Sequence, residues 1–448
     1  MKRKISLLLL CMLTMAVSAQ KNYKFEVDTL RWAGDKCINI VFLGDGYVES
    51  ELGTFKMDAA KQMNSFLKQD PYKRYSKYFN FVCIPTPSNE NGAGLTPDKP
   101  KDTMYKVCFG TSGVDRMPWP TDWTAVNKVL STNFPSYDMV AIITDTTKYG
   151  GGGGGKFICY TKNESSIQTL YHESGHSFGS LADEYWYAGR EAANMTRTKD
   201  PEKIKWKNWL GYQQVGIYPF YGTNEDSNYV RPHQNCLMRY LGKPFCAVCK
   251  EALVERVHNI VNPIREQDPK LHVPSINDST ITLKITTLKP TPNTLKTIWT
   301  FRGDTIARKV DSVKIITDDL PNGTYTAVVS VEDTTLLQRV DNHTKLHAKT
   351  VTWRLKREVT GITATSVQNG YAIAPSPFTT RLTVTREKAT GMPLRVELVS
   401  LSGQVCAKAK SGGSNSCTLN TSNLPNGVYV ARIYDGKDLV LTRKVLKK

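Results

Sequence analysis

Hydrophobic period changes once along this chain of 448 residues, near residue 270, and the change dictates a composite fold. Upstream, short apolar runs alternate with stretches whose apolar side chains recur every three or four residues. Residues 37–43 (CINIVFL) have the length of a buried strand, and Gly44-Asp45-Gly46 supplies a tight exit turn. Residues 50–70 follow, with Phe55, Ala59, Met63 and Phe66 on one face of a predicted helix that Pro71 stops. Residues 79–84 and 139–144 read as further strands, and 122–130 as a helix between them. Strands alternating with helices predict an α/β layer.

Downstream, residues 280–286 and 325–331 alternate with period two and helical spacing is lost, which predicts β-sandwich material. Leu320-Pro321-Asn322-Gly323-Thr324-Tyr325 returns as Leu424-Pro425-Asn426-Gly427-Val428-Tyr429, each a Pro-Asn-Gly turn feeding a strand. The expected architecture is an α/β domain at 20–268 followed by two all-β sandwich domains, at 269–358 and 359–448, joined near 360–369. Hydrophobic residues make up 40% and charged residues 22%, enough apolar surface for such cores and too much for a mainly disordered chain.

Lys2, Arg3 and Lys4 precede an apolar run over residues 5–17, and Val17-Ser18-Ala19 offers a small-residue cleavage site before Gln20. This is the layout of a secretory signal at 1–19. No later stretch approaches the roughly 18 apolar residues of a transmembrane helix, so export without a transmembrane segment is expected. The formal charge of +18 is concentrated in the C-terminal third. Without paired zinc-finger spacing or a basic region with heptads, it predicts a solvated basic tail and no nucleic-acid partner. Ten cysteines less Cys11 in the signal leave an odd number for the exported chain. Cys236, Cys246 and Cys249 cluster and are expected to hold one local disulfide. Cys406 and Cys417 are expected to bridge within the last domain.

Tyr171-His172-Glu173-Ser174-Gly175-His176 contains His-Glu-x-x-His, with Ile167, Leu170 and Phe178 on an apolar helical face. Histidines four apart stand one helical turn above each other, so both imidazoles reach one zinc ion. Glu173 lies beside them, placed to accept a proton from zinc-bound water. Catalytic zinc needs three protein ligands and an open fourth position. Gly179 occupies the glycine position of the extended metzincin motif, but the third-ligand position holds Ala182, which cannot bind metal. Asp183 is the expected third ligand and Glu184 the reserve, with His233 and His258 as weaker candidates. Tyr185 and Tyr240 are candidates for stabilising an oxyanion.

These residues resemble the IgA-peptidase-like zinc metallopeptidases. The resemblance rests on Leu43-Gly44-Asp45-Gly46-Tyr47, the glycine run at 150–155, His172-Glu173-x-x-His176 with Leu181-x-Asp183-Glu184-Tyr185, and Cys236-Leu237-Met238-Arg239, over roughly residues 24–265. It implies a metzincin-like fold with a methionine turn beneath the zinc, where Met238 fits. It also implies that the strand before the zinc helix is an edge strand that pairs with an extended substrate, the glycines admitting its backbone. A flexible surface loop is the other reading of six glycines.

The last 80 or so residues resemble the C-terminal sorting domains of the type IX secretion system of Bacteroidetes. Pro375-Ser376-Pro377-Phe378, the run 398–404, Leu424-x-x-Gly427-Val428-Tyr429 and the final Lys447-Lys448 carry that likeness. It implies export machinery as a partner and passage through the periplasm and across the outer membrane. The combined expectation is a secreted or surface-attached zinc endopeptidase acting on extracellular or host proteins, immunoglobulin-like chains among them. Its cofactor is Zn2+, its ligands His172, His176 and Asp183, and its base Glu173. The rivals are a surface-binding adhesin with an inactive zinc site, against which the intact motif argues, and a zinc amidase acting on a non-protein amide.

Overall fold

The computed structural model describes residues 23–185, 189–221, 228–276, 278–318, 320–358 and 370–448. The expected signal at 1–19 and join at 360–369 lie outside the described residues. These residues divide into two compact units. One holds residues up to Lys270 with Thr282–Val313 and Ala327–Thr352; the other holds Leu271–Ile281, Lys314–Thr326 and Trp353–Lys448.

The first unit is built on strands β1 (Asp28–Arg31), β2 (Ile38–Asp45), β3 (Phe79–Ile84), β4 (Val107–Cys108), β5 (Trp119–Pro120), β6 (Met139–Thr144), β7 (Gly151–Gly154) and β8 (Phe157–Thr161). Helices α1 (Leu52–Phe66), α2 (Trp123–Asn133), α3 (Ser166–Ser177) and α4 (Ala247–Ile260) pack around them. Six strands form one sheet in the order β1-β3-β2-β6-β8-β7. The inner four are parallel, and β1 and β7 run antiparallel at the two ends. Strands β4 and β5 pair separately.

Both faces of this sheet are covered, which explains why its strands read as unbroken apolar runs. Ile40, Phe42, Phe81, Ala141 and Ile143 share a core with Phe55, Phe66, Leu170 and Leu253 of α1, α3 and α4. Their neighbours Val41, Leu43, Val82, Val140 and Ile142 point the other way, onto Val126, Val129 and Leu130 of α2. Helix α1 buries Phe55, Ala59, Met63 and Phe66, as the spacing predicts. It stops at Phe66, before Asp70, because the residue preceding a proline is pushed out of helical geometry and turns fill the interval. Asp122 caps α2, its carboxylate accepting from the Ala125 N–H at 2.9 Å.

Residues beyond 270 are strand-rich, with strands at Thr280–Thr287, Leu295–Phe301, Asp304–Arg308, Ser312–Ile316, Gly323–Asp333 and Lys349–Arg357. Among the described residues the lost helical period has one exception, the five-residue helix His343–His347. In the tail, sheets of three and four strands enclose a core that includes Leu382, Val384, Val396, Leu398, Ala431 and Ile433. The two Pro-Asn-Gly repeats adopt one local structure. Tyr325 Oη donates to the Pro321 carbonyl at 2.7 Å and Tyr429 Oη to the Pro425 carbonyl at 2.8 Å. Each tyrosine thereby ties its strand to the preceding corner. Cys406 and Cys417 are not bridged, which corrects the expected disulfide there. Cys417 is buried in the tail core with Cys406 packed beside it, so both serve as small apolar side chains.

Candidate active site

Helix α3 carries His172, Glu173 and His176 on a face turned toward a cavity of about 560 Å³. The helix ends at Ser177 through a reversal in which Ser180 takes a left-handed φ of 53° and the Leu181 N–H returns to the Gly175 carbonyl at 2.9 Å. Gly179 is needed because a Cβ there would stand 2.9 Å from that carbonyl and 2.7 Å from Leu253. The chain after the reversal runs back along the helix. Asn194 holds it, accepting from the Ala182 N–H and donating to the Ala182 carbonyl, both at 2.8 Å.

This return brings Asp183 to the histidines. Asp183 Oδ1 lies 3.1 Å from His172 Nε2 and 3.1 Å from His176 Nε2, and the two Nε2 atoms are 3.2 Å apart. The opposite ring nitrogens are engaged elsewhere. His172 Nδ1 donates to the Leu237 carbonyl at 3.0 Å and His176 Nδ1 to the Leu181 carbonyl at 2.8 Å. Both Nε2 atoms are thus turned to the position a metal would take, the usual second-layer arrangement around metal-binding histidine. The Leu237 carbonyl belongs to a turn that continues into Met238, whose sulfur would lie 2.5 Å from a Cβ on Gly175. The glycine inside the motif lets this fully buried methionine pack against α3 between the two histidines.

Burial alone would favour neutral imidazoles, but the hydrogen bonds and charge of Asp183, with the charge of Glu173, outweigh it. His172 rises above its ordinary value and His176 reaches about 9. Burial pushes Asp183 upward, yet the two imidazoles hold it well below the usual carboxylate range. Glu173 is raised, chiefly by burial.

Glu184 does not join this group. It is fully buried, pointing away to Cys249 at 3.4 Å and Asn194 at 2.9 Å. His233 is hydrogen-bonded to Gln213 and Asn235, and His258 Nε2 is 3.0 Å from Asp333, so neither reaches the site. Tyr185 lines the cavity and stacks on His172 with centroids 6.3 Å apart. Tyr240 is exposed beneath the Arg239 guanidinium. Arg116, which had no sequence signal, lines the cavity with its charge acting on Glu173 and Tyr185.

The glycine run is an edge strand, β7, and the loop reading fails. Cβ atoms on Gly151 and Gly153 would stand 2.2 Å from Thr169 and 2.7 Å from Glu173 of α3. Those on Gly150 and Gly152 would meet Arg116 at 2.4 Å and Met117 at 3.1 Å on the other face. From Gly150 to Gly153 the chain, held between two such close surfaces, has no room for side chains. Its backbone at Gly151–Gly153 lines the cavity.

Residues 30–221, which include the whole His-Glu-x-x-His helix, match the family model IgA Peptidase M64. This part of the chain is similar to the M64 peptidases. Residues 372–448 match the Secretion system C-terminal sorting domain, so this protein is secreted or displayed at the cell surface of Bacteroidetes. Among the described residues no helix is long and apolar enough to cross a membrane. No curated protein matches the chain. Among solved structures, the Bacteroides ovatus mixed-linkage glucan utilization locus protein SGBP-B is 10% identical over 39% of this chain and 42% of its own, at TM-score 0.15. Clostridium thermocellum CbhA fibronectin(III)-like modules are 14% identical over 41% of this chain and 92% of theirs, at TM-score 0.15. The chain spans less than half of the first protein, and likenesses at such TM-scores carry no argument about fold or ligand.

Proposed function

We propose that this chain is an M64-type zinc endopeptidase in which His172, His176 and Asp183 hold the ion and Glu173 is the base. The observation that carries the reading is the triangle of two Nε2 atoms and Oδ1, with edges of 3.1 to 3.2 Å, beside a buried glutamate in an open cavity. Tetrahedral zinc with bonds of about 2.0–2.1 Å to nitrogen and oxygen asks for donor separations of about 3.3 Å, so these residues fit it. Zinc bound there would supply Lewis acidity toward a carbonyl oxygen and lower the pKa of water.

The chain's own residues do the rest. Glu173 takes a proton during attack and returns it to the leaving amine, and burial raises its pKa toward that task. The free edge of β7 supplies main-chain N–H and C=O groups to an extended peptide, aligning the scissile bond with α3. Tyr185, over His172, donates to the developing oxyanion, and Arg116 orients it. Met238 beneath α3 fits a metzincin-like reading. Residues 20–268 are read as the catalytic domain, 269–358 as a sandwich spacer and 359–448 as the export domain. Protein chains outside the cell are the substrates.

The test is digestion of a peptide library by the purified protein with and without chelator, analysed by mass spectrometry. Cleavage of peptide bonds that stops with chelator and returns with zinc supports the reading. A protein that binds peptides without cutting them would instead be the adhesin.

A further inference from the structure

Behind the histidine site lies a second convergence of ligand atoms. One atom each from Glu184, Cys236, Cys246 and Cys249 lies within 4.8 Å of the others, and all four residues are buried. We propose that these four residues bind a second, structural zinc ion. Cys236 Sγ is 3.6 Å from Cys249 Sγ, and Cys249 Sγ is 3.4 Å from Glu184 Oε1. Zinc with bonds of about 2.3 Å to thiolate sulfur and about 2.0 Å to carboxylate oxygen places tetrahedral neighbours about 3.8 and 3.5 Å apart.

The expected local disulfide is corrected here, because none of the three cysteines is bonded to another. A disulfide would also serve the chemistry of the site badly. It would use two sulfurs and leave a thiol and the carboxyl group of Glu184 in a dry interior, where Glu184 Oε2 already has no hydrogen-bond partner among the described residues. A metal ion uses all four groups.

The surroundings suit an anionic cluster. Cys246 is the N-cap of α4 and Cys249 lies in its first turn, at the positive end of a 14-residue helix. The Cys246 N–H donates to Cys236 Sγ at 3.4 Å. Three thiolates and a carboxylate around Zn2+ carry a net charge of −2, and three protons leave for solvent when the thiols bind. Arg231 offsets part of that charge. It is buried, and its Nη1 donates to the Glu184 carbonyl at 3.0 Å.

Position gives the ion its purpose. Glu184 follows Asp183 and its N–H donates to the Met238 carbonyl at 2.8 Å, while Cys236 precedes Leu237, the acceptor for His172. A metal joining Glu184 to Cys236 and the start of α4 fastens the loop bearing Asp183 to the loop that orients His172. This consequence rests on the proposed histidine site; the cysteine site itself does not.

The experiment uses protein secreted by its native host. Elemental analysis should give two zinc ions per chain, falling to one in the His172→Ala/His176→Ala variant. Cobalt exchanged into that variant should show thiolate-to-cobalt charge-transfer absorption. After denaturation with chelator and no reductant, alkylation should label Cys236, Cys246 and Cys249 together. Cys249→Ser should remove the cobalt signature, and the wild-type measurements stand even if that variant fails to fold. A disulfide between any two of the three, or a histidine-site variant that holds no metal, overturns the proposal. A wild-type chain with one thiolate-bound zinc would uphold the cysteine site and overturn the histidine site instead.

Discussion

A Cβ on Gly153 would stand 2.7 Å from Oε2 and 3.3 Å from Cβ of Glu173, so the edge strand and the proposed base occupy adjoining space with nothing between them. Gly153→Ala must therefore displace the carboxylate or the strand that presents the substrate. A misplacement near 1 Å costs on the order of 100-fold, and turnover should fall roughly tenfold to 100-fold with zinc content unchanged. Gly154→Ala is the matched control, since its Cβ would meet only Trp119, at 3.9 Å. Equal kcat for the two variants would show that the packing of β7 on α3 does not set the position of Glu173.

Glu173→Gln keeps the size and hydrogen-bonding shape of the side chain but cannot accept a proton. Turnover should drop by at least about 100-fold while elemental analysis finds the same zinc per chain. Full activity in this variant would remove the proposed mechanism.

The parallel strands were legible because each is buried on both faces and written as a continuous apolar run, as in residues 79–84 and 139–144. The histidine group was legible because two imidazoles and a carboxylate share one stretch of helix, Ser166–Ser177. Asp183 could be inferred only by reading past the alanine in the metzincin position, since the return of the chain depends on Asn194, whose role no spacing reveals. The glycine run misled in part. Composition permits a loop, and its confinement between Thr169 and Met117 is a tertiary fact. The cysteine trio stands out in the sequence, but Glu184, which the fold places with it, reads there as a rival ligand for the other site.

Asp183 and Glu184 are adjacent in sequence but serve different clusters, so their alanine variants should lose different metals. Asp183→Ala should lose activity and the histidine-bound zinc together while keeping the thiolate signature after cobalt exchange. Glu184→Ala should weaken the thiolate-bound metal and leave the histidine site able to load. Zinc retained at the histidines in Asp183→Ala and lost in Glu184→Ala would transfer the third-ligand role to Glu184.

In the metal-free protein His176 holds its proton up to about 9, although burial opposes it, because Asp183 and Glu173 surround it with negative charge. Zinc entering the site at neutral pH must displace that proton. Affinity should therefore rise as pH is raised from about 6.5, the ordinary histidine value, toward 9, with protons released on binding. Competition against a pH-calibrated chelating dye measures this in protein stripped at the histidine site, with the thiolate-bound zinc left in place. An affinity flat across this range would mean that the imidazoles are already neutral.

The residues matching the sorting domain enclose a core of their own, with buried members from Ile373 to Val445, and among the described residues the cavity around Glu173 is lined by residues between Val114 and Leu241. A chain ended near residue 365 should therefore keep its peptidase activity when made recombinantly, with kcat/KM within about twofold of the full chain. In the native host the same truncation removes the segment matching the secretion sorting domain, so the protein should cross the inner membrane and stop in the periplasm. Cell fractionation with activity measured in each fraction tests both halves of the statement. Normal delivery of the truncated protein to the surface or medium would show that export is read from another part of the chain. Loss of activity in a folded truncation would show that the tail supports catalysis as well as transport.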